Sequence, residues 1–214
     1  MLRHLQGLIV IPLLAVTTTL AAPLSAEGAS ALRAQFQARQ RDTLTWSARF
    51  MQTLTVPGLR DPVVSTGMLA YHAPEQLRLD FTKPAGEFVL VLGDRLFIQK
   101  SGIRPAEKSL REDSVGKPFL SLLGLLSGQP AEEGGAYALE ATRENGRYAV
   151  VLTRKPGAPS RLPAHITNTI AADTLDVREV VVELPNGGTL SYRFDDITRN
   201  RPLDATRFAE PDLP

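Results

Sequence analysis

Alternation of apolar and polar side chains with a period of two residues is the feature that most constrains the fold of this chain. Along residues 46–54, one set of alternate positions holds Trp46, Ala48, Phe50, Gln52 and Leu54. The positions between them hold Ser47, Arg49, Met51 and Thr53. Successive side chains of a β-strand point to opposite faces, so this pattern predicts a strand with one buried face.

Similar short segments follow along the chain, and turn residues separate them. Tight turns are indicated at Gly93-Asp94, at Asn145-Gly146 and at Asn186-Gly187-Gly188. Between the turns we predict strands at residues 65–71, 76–81, 88–92, 95–99, 137–142, 147–153, 165–170, 177–184 and 189–194. Short strands at this spacing favour an antiparallel meander.

Two segments interrupt the strand pattern and predict helices. Residues 29–40 carry an apolar stripe near helical spacing, and Ser30 is a candidate N-cap. Residues 114–128 contain Pro118 where a helix can begin and Gly128 where it can end. Leucines surround most of this second helix, which indicates burial on more than one face. It is either a core helix or a cover whose inner face meets a ligand.

The N-terminus has the pattern of a secretory signal peptide. A basic start with Arg3 precedes an apolar run at residues 8–20 and small residues at 21–26. We expect cleavage between residues 21 and 26, which leaves one domain at residues 27–214 in the periplasm. The alternative is an uncleaved anchor, although the apolar run is short for a membrane span. No cysteine follows the signal, which excludes N-terminal lipidation.

Composition and motifs exclude several classes of function. The sequence has 24 Lys and Arg residues and 23 Asp and Glu residues, so it lacks the basic excess of a nucleic-acid binder. His72 and His165 have no neighbouring ligands at metal-site spacing. Gly116-Lys117 precedes a proline where a phosphate-binding loop needs Ser or Thr, and no nucleophile elbow occurs. We therefore predict a protein that is not an enzyme and that has no metal or cofactor.

Large apolar side chains are what remains as candidate functional residues. A curved antiparallel sheet would collect many of them on its concave face, and the leucine-rich helix could close the opening. Each buried methylene contributes about 0.8 kcal/mol, so such a surface can hold an acyl chain by area alone. The predicted lipid-binding residues are Trp46, Phe50, Met68, Leu77, Leu79, Phe81, Val89, Val91, Phe97, Phe119, Leu122, Leu123, Leu125 and Leu126.

The order of several short motifs resembles one known family. They are Trp46-Ser-Ala-Arg-Phe50-Met-Gln-Thr53, Gly67-Met-Leu-Ala-Tyr71, Pro74-Glu-Gln-Leu-Arg-Leu-Asp-Phe-Thr-Lys-Pro84, Val91-Leu-Gly-Asp-Arg-Leu-Phe97, Lys117-Pro-Phe-Leu120 and Ala205-Thr-Arg-Phe208. With the opening helix, they resemble the LolA family of periplasmic outer-membrane lipoprotein carriers over nearly the whole mature chain.

The resemblance implies a mainly β fold with helices, an incomplete antiparallel β-barrel with an N-terminal helix and a helical lid. It implies a monomeric carrier of the acyl chains of a lipoprotein or another lipid. The donor would be an inner-membrane transporter, and an outer-membrane acceptor would receive the cargo. The family typically has an arginine before the proline that is Pro74 here, and it helps to hold the lid. This chain has Ala73 instead, which leaves Tyr71 and His72 as candidate substitutes.

Two other functions are alternatives to a lipid carrier. The same sheet could serve a periplasmic sensor or assembly module that binds a protein. A hydrolase is the other alternative, supported only by scattered carboxylates and histidines that form no convergent constellation.

Overall fold

The computed structural model describes residues 22–129, 135–160 and 162–212. Residues 1–21 of the predicted signal peptide lie outside the described residues. The helices are α1 (Ala26–Arg41) and α2 (Lys117–Leu126), with short 3-10 turns at Ser114–Gly116 and Ala205–Phe208. The strands are β1 (Thr45–Thr55), β2 (Val63–His72), β3 (Gln76–Lys83), β4 (Phe88–Leu92), β5 (Arg95–Gln99), β6 (Ala106–Ser109), β7 (Tyr137–Glu144), β8 (Arg147–Arg154), β9 (His165–Ala171), β10 (Val177–Glu183) and β11 (Thr189–Arg199).

The strands form one antiparallel sheet in the order β6-β5-β4-β3-β2-β1-β11-β10-β9-β8-β7. Strands that are consecutive in sequence are neighbours except β6 and β7, which lie at opposite ends of the order, and the two halves meet where β1 pairs with β11. In the described part of the chain, β6 and β7 are the two edges, so the sheet is not closed. The predicted mainly β fold, an incomplete antiparallel barrel with helices, is confirmed.

Each predicted strand is present, and two departures matter. Strand β6 was not expected, because Ala106–Ser109 has no apolar alternation and forms only by pairing with β5. Strand β11 continues to Arg199, well past the predicted end at residue 194.

The predicted N-cap of the first helix is wrong. Helix α1 begins at Ala26, and the Ser25 hydroxyl accepts a hydrogen bond from the Gly28 backbone N–H at 3.1 Å. Ser30 lies inside the helix and is exposed. A serine satisfies an N-terminal donor only from the cap position, so Ser25 takes this role.

The sheet has two faces with different neighbours. The inner face is the one that carries Trp46, Phe50, Leu77 and Leu79, and it shares one buried apolar cluster with Phe36 of α1 and the leucines of α2. Both helices therefore cover the inner face. The outer face is the opposite one. It carries Arg49 and Met51 of β1, and Arg193 of β11 is paired with Met51.

The C-terminal segment after β11 crosses part of the outer face. The Phe208 ring lies 6.1 Å from the His72 ring, so this part of the tail contacts the end of β2. Farther along, Arg95 Nη1 donates to Glu210 at 2.7 Å, and Arg95 Nε donates to Glu107 at 2.7 Å. This ion-pair cluster holds the end of the tail against β5 and β6.

The cluster predicts that attachment of the tail depends on pH. Hydrogen bonds from Arg95 hold the pKa values of Glu210 and Glu107 below their usual range. Both carboxyls have depressed pKa values in the folded state, so their stabilisation is present above their ordinary pKa and is lost as pH falls through the lowered values. We expect NMR protection factors of the amides at residues 205–212 to decrease below about pH 4.5, the ordinary glutamate pKa. The Glu210→Gln variant should show the reduced protection at neutral pH, and pH-independent protection in the native chain would contradict the role of the cluster.

Candidate functional site

The inner face places most of the predicted lipid-binding residues together. Trp46, Phe50, Leu77, Leu79, Val89 and Val91 are buried in the apolar cluster, and Phe81 packs against it. The Trp46 and Phe194 rings meet edge to face at 5.3 Å, and Phe50 meets Phe81 in the same way at 5.2 Å. The sequence alternation therefore identified the apolar side of β1 and β3 correctly.

Two predicted residues lie on the other side of the sheet. Met68 is paired with Arg49 and Asp80, so its side chain belongs to the outer face. Phe97 pairs with Leu90 across β4 and β5, and the Arg95 guanidinium lies 4.8 Å from its ring centroid. Phe97 is fully buried there, but it does not contribute to the inner apolar cluster. The structure therefore does not bring Met68 and Phe97 together with the others.

Helix α2 supplies the rest of the predicted set. Phe119, Leu122, Leu123, Leu125 and Leu126 are all buried in the inner cluster. The helix has Pro118 in its first turn, lacks a side-chain cap at its N-terminus and ends before Gly128, whose φ is +75°. A Cβ on Gly128 would lie 2.8 Å from the Cβ of Gln40, so the two helices touch at their C-terminal ends. Glycine permits both the left-handed conformation and this approach.

A small apolar cavity lies between the helices and one half of the sheet. It has a volume of about 50 Å³ and is lined by side chains that include Leu32 and Phe36 of α1, Leu125 of α2, Leu139, Leu152 and Ile170. Pockets that bury a small organic ligand usually measure about 300–1,000 Å³. This cavity is smaller than that range, so a long acyl chain needs more space than its lining residues leave.

A buried polar network lies beside this apolar region, and the sequence analysis missed it. Arg199 Nε donates to Asp176 Oδ1 at 2.7 Å, while Nη1 donates to Thr43 Oγ1 at 2.7 Å and to Gln40 Oε1 at 3.1 Å. Burial lowers the pKa of the Arg199 guanidinium, and the hydrogen bond to Asp176 opposes that shift. Gln40 and Thr43 lie at the end of α1, so Arg199 ties this helix to the sheet.

A β-bulge explains why Arg199 reaches the inner face. Trp46 pairs with Arg199 and Phe50 with Phe194, so β11 holds one residue more than β1 over this stretch. Asp196 has a φ of +52° at the irregularity. The extra residue reverses the alternation, because simple parity from Phe194 would place Arg199 outside. No local signal in the sequence marks this shift.

Tyr71 and His72, the candidate substitutes for the family arginine, interact elsewhere. The Tyr71 hydroxyl donates to the Pro74 carbonyl at 3.3 Å, and its pKa is raised by burial and by Glu75. His72 is exposed and contacts Phe208. Ala73 donates its backbone N–H to the Leu44 carbonyl at 2.9 Å. Arg199 contacts α1 in this region, through Gln40.

No group of three or more His, Asp or Glu side chains that could hold a metal occurs among the described residues. His165 Nδ1 lies 3.2 Å from Thr153 Oγ1, its neighbour across β8 and β9. None of the helices in the described ranges combines the length and hydrophobicity needed to cross a bilayer.

Comparison with known proteins decides the family. The model of the family described as outer membrane lipoprotein carrier protein LolA matches residues 41–210. The chain belongs to the LolA family. This match includes the whole sheet and α2. No curated protein matches the sequence.

Solved structures share the fold at low sequence identity. An uncharacterized conserved protein from Thermus thermophilus is 11% identical with a TM-score of 0.51, over 85% of this chain and 94% of that chain. A DUF1329 family protein from Desulfovibrio piger is 10% identical with a TM-score of 0.50, over 86% and 96%. MucB is 17% identical with a TM-score of 0.51, over 87% of this chain and 63% of MucB. At these identities the likeness concerns the fold alone.

Proposed function

We propose that this LolA-family protein carries acyl chains of a lipoprotein or another lipid through the periplasm, towards the outer membrane. The observation that supports it best is the apolar contact between α2 and the inner face. Five apolar side chains of this ten-residue helix are buried in the inner cluster. Such a contact can be replaced by acyl chains at similar free energy, because each methylene contributes about 0.8 kcal/mol whichever molecule supplies it.

In this proposal α2 acts as a lid. It moves away from the inner face when cargo binds, and the cavity beneath α1 expands. An inner-membrane transporter supplies the cargo and an outer-membrane acceptor receives it, and neither step needs a cofactor in the carrier. We propose that the predicted residues on the inner face contact the lipid. Met68 and Phe97 do not contact it in this arrangement, because they belong to the outer face.

A charged residue on α2 distinguishes a lid from a permanent part of the core. In the Leu122→Glu variant we expect binding of a fluorescent fatty-acid probe to weaken at least roughly tenfold, since a carboxylate opposes burial beside acyl chains. We expect a smaller loss in the free energy of unfolding than in the matched variant Leu90→Glu. A displaced lid can place the introduced carboxylate in water, whereas Leu90 is fully buried within the outer face of the sheet.

Probe fluorescence and urea unfolding of both variants give the comparison. Equal losses of stability at positions 122 and 90 would identify α2 as part of the permanent core and would remove the main support for the proposed carrier function. Mass spectrometry of lipid that copurifies with the gently isolated protein would identify the cargo.

A second candidate is a periplasmic module that binds a protein. MucB, which shares this fold, forms a complex with MucA in Pseudomonas aeruginosa. In this chain β7 is an edge strand. Among the described residues, its free edge is hydrogen-bonded only near Ala141, whose carbonyl accepts from the Leu24 backbone N–H at 2.7 Å. A protein partner that stays bound after complete delipidation would favour this candidate over the carrier.

A further inference from the structure

Two buried hydrogen-bond donors on the inner side of the sheet have no acceptor among the described residues. They are Nε2 of Gln40 and Nε1 of Trp46, and the two side chains belong to residues that are 2% and 1% exposed. Buried polar groups in proteins nearly always have a hydrogen-bond partner, and an exception calls for an explanation. Both of these atoms are donors, so what each of them lacks is an acceptor.

The two donors belong to residues that neighbour the same arginine. Arg199 Nη1 donates to Gln40 Oε1 at 3.1 Å, which fixes the orientation of the amide because a flipped amide would place its NH2 against the guanidinium. Trp46 is the register partner of Arg199 across β1 and β11. Asp176, the carboxylate of this network, is already bound by Arg199. Gln40 Nε2 and Trp46 Nε1 are therefore left without an acceptor among the described residues.

The position of Gln40 continues the lining of the apolar cavity. The buried residues of α1 are Leu32, Phe36 and Gln40, spaced four residues apart along one side of the helix. Leu32 and Phe36 line the cavity, and Gln40 follows about one helical turn further on. A ligand lying along this side of α1 would meet apolar groups first and the two free donors at its end.

We propose that Gln40 Nε2 and Trp46 Nε1 form a binding site for a carbonyl oxygen of the cargo, at the ester or amide that joins an acyl chain to its head group. The proposal rests on the carrier function and specifies which atoms recognise the cargo. The acyl chain lies along Leu32 and Phe36 in the expanded cavity, and its carbonyl completes the hydrogen bonds of the buried donors. Free hydrocarbon fits the apolar part equally well but leaves both donors unsatisfied.

The test compares a fatty-acid methyl ester with the n-alkane that has the same number of heavy atoms. We expect the ester to bind roughly tenfold more tightly, which is the effect of one or two net hydrogen bonds. Trp46 is the only tryptophan of the chain, so its indole ¹⁵N–H resonance reports on this site alone. That resonance should move in the direction of a stronger hydrogen bond with the ester and not with the alkane.

Two variants separate recognition from folding. Trp46→Phe removes the indole donor and keeps an aromatic ring, while Gln40→Glu keeps an oxygen for Arg199 and removes the amide donor. In each variant we expect the ratio of ester affinity to alkane affinity to fall towards one, whatever the affinity for the alkane itself. A preference that survives in both variants would overturn the site.

The outcomes also separate this site from the carrier function. If ester and alkane bind equally and the indole resonance does not respond to the ester, the carbonyl site is wrong and a buried water serves the two donors, while the carrier function stands. If neither ligand binds, the carrier function and the site are both overturned.

Discussion

Replacing Arg199 with alanine is expected to lower the free energy of unfolding by about 3–5 kcal/mol, the usual cost of removing one partner from a buried ion pair. The side chains of Arg199 and Asp176 are only 9% and 11% exposed. Without the guanidinium, the nearly buried Asp176 carboxylate loses its close partner and keeps only the longer contact with Arg178 Nη2 at 3.9 Å. Gln40 and Thr43 also lose their contact with the sheet, so the C-terminal end of α1 should become mobile.

Urea unfolding measures the loss, and hydrogen exchange of the amides at residues 36–43 locates it. Arg95→Ala is the matched control, because Arg95 also donates to several side-chain oxygens but is 43% exposed. We expect a much smaller loss there, since exposed ion pairs contribute little to stability. The double variant Arg199→Met with Asp176→Leu should recover most of the stability that Arg199→Ala loses, since it leaves no unpaired charge. Equal effects at positions 199 and 95 would show that the buried network does not hold α1.

Replacing Phe50 with alanine is expected to cost about 3–5 kcal/mol, the range for removing a buried aromatic ring. Phe50 is 2% exposed, and its ring meets Phe81 at 5.2 Å and Tyr192 at 6.3 Å. The ring also covers Gly67, where a Cβ would lie 2.7 Å from Phe50 Cε1. Removal of the ring therefore leaves a cavity between these neighbours.

The adjacent residue provides the control for this experiment. Met51 points to the outer face and is 40% exposed, so Met51→Ala should cost less than about 1 kcal/mol. Both variants are compared by urea unfolding under the same conditions. Similar losses at the two positions would contradict the assignment of the inner and outer faces of β1.

Local sequence signals were sufficient for most of the sheet. The alternation in β1 and β3 identified their buried sides, and the Asn145-Gly146 turn predicted the β7–β8 hairpin. Motif order was sufficient for the family, which the match to the LolA model confirmed. These features depend on neighbours in sequence, and neighbours in sequence are what a strand pattern or a tight turn records.

Local signals failed where both faces of a strand carry apolar residues. In β2, Met68 and Leu69 are adjacent apolar residues on opposite faces. In β5, Phe97 lies between the apolar residues Leu96 and Ile98. Which of these sides faces the helices is decided by the register with β1 and β4. In addition, the C-terminal tail contacts β3 and β5 on the outer face. A tail that is distant in sequence can make an outer position part of a buried surface.

By itself, the sequence determined the succession of strands, the turns, the two helices and the membership of the LolA family. Only the tertiary structure decided the buried polar network that ties α1 to the sheet. Arg199 belongs to that network because one extra residue in β11 reverses the side-chain parity after Phe194. Its partners Gln40 and Thr43 lie more than 150 residues away in the chain. A bulge and a long-range contact leave no period in the sequence, since both arise from how distant strands pair.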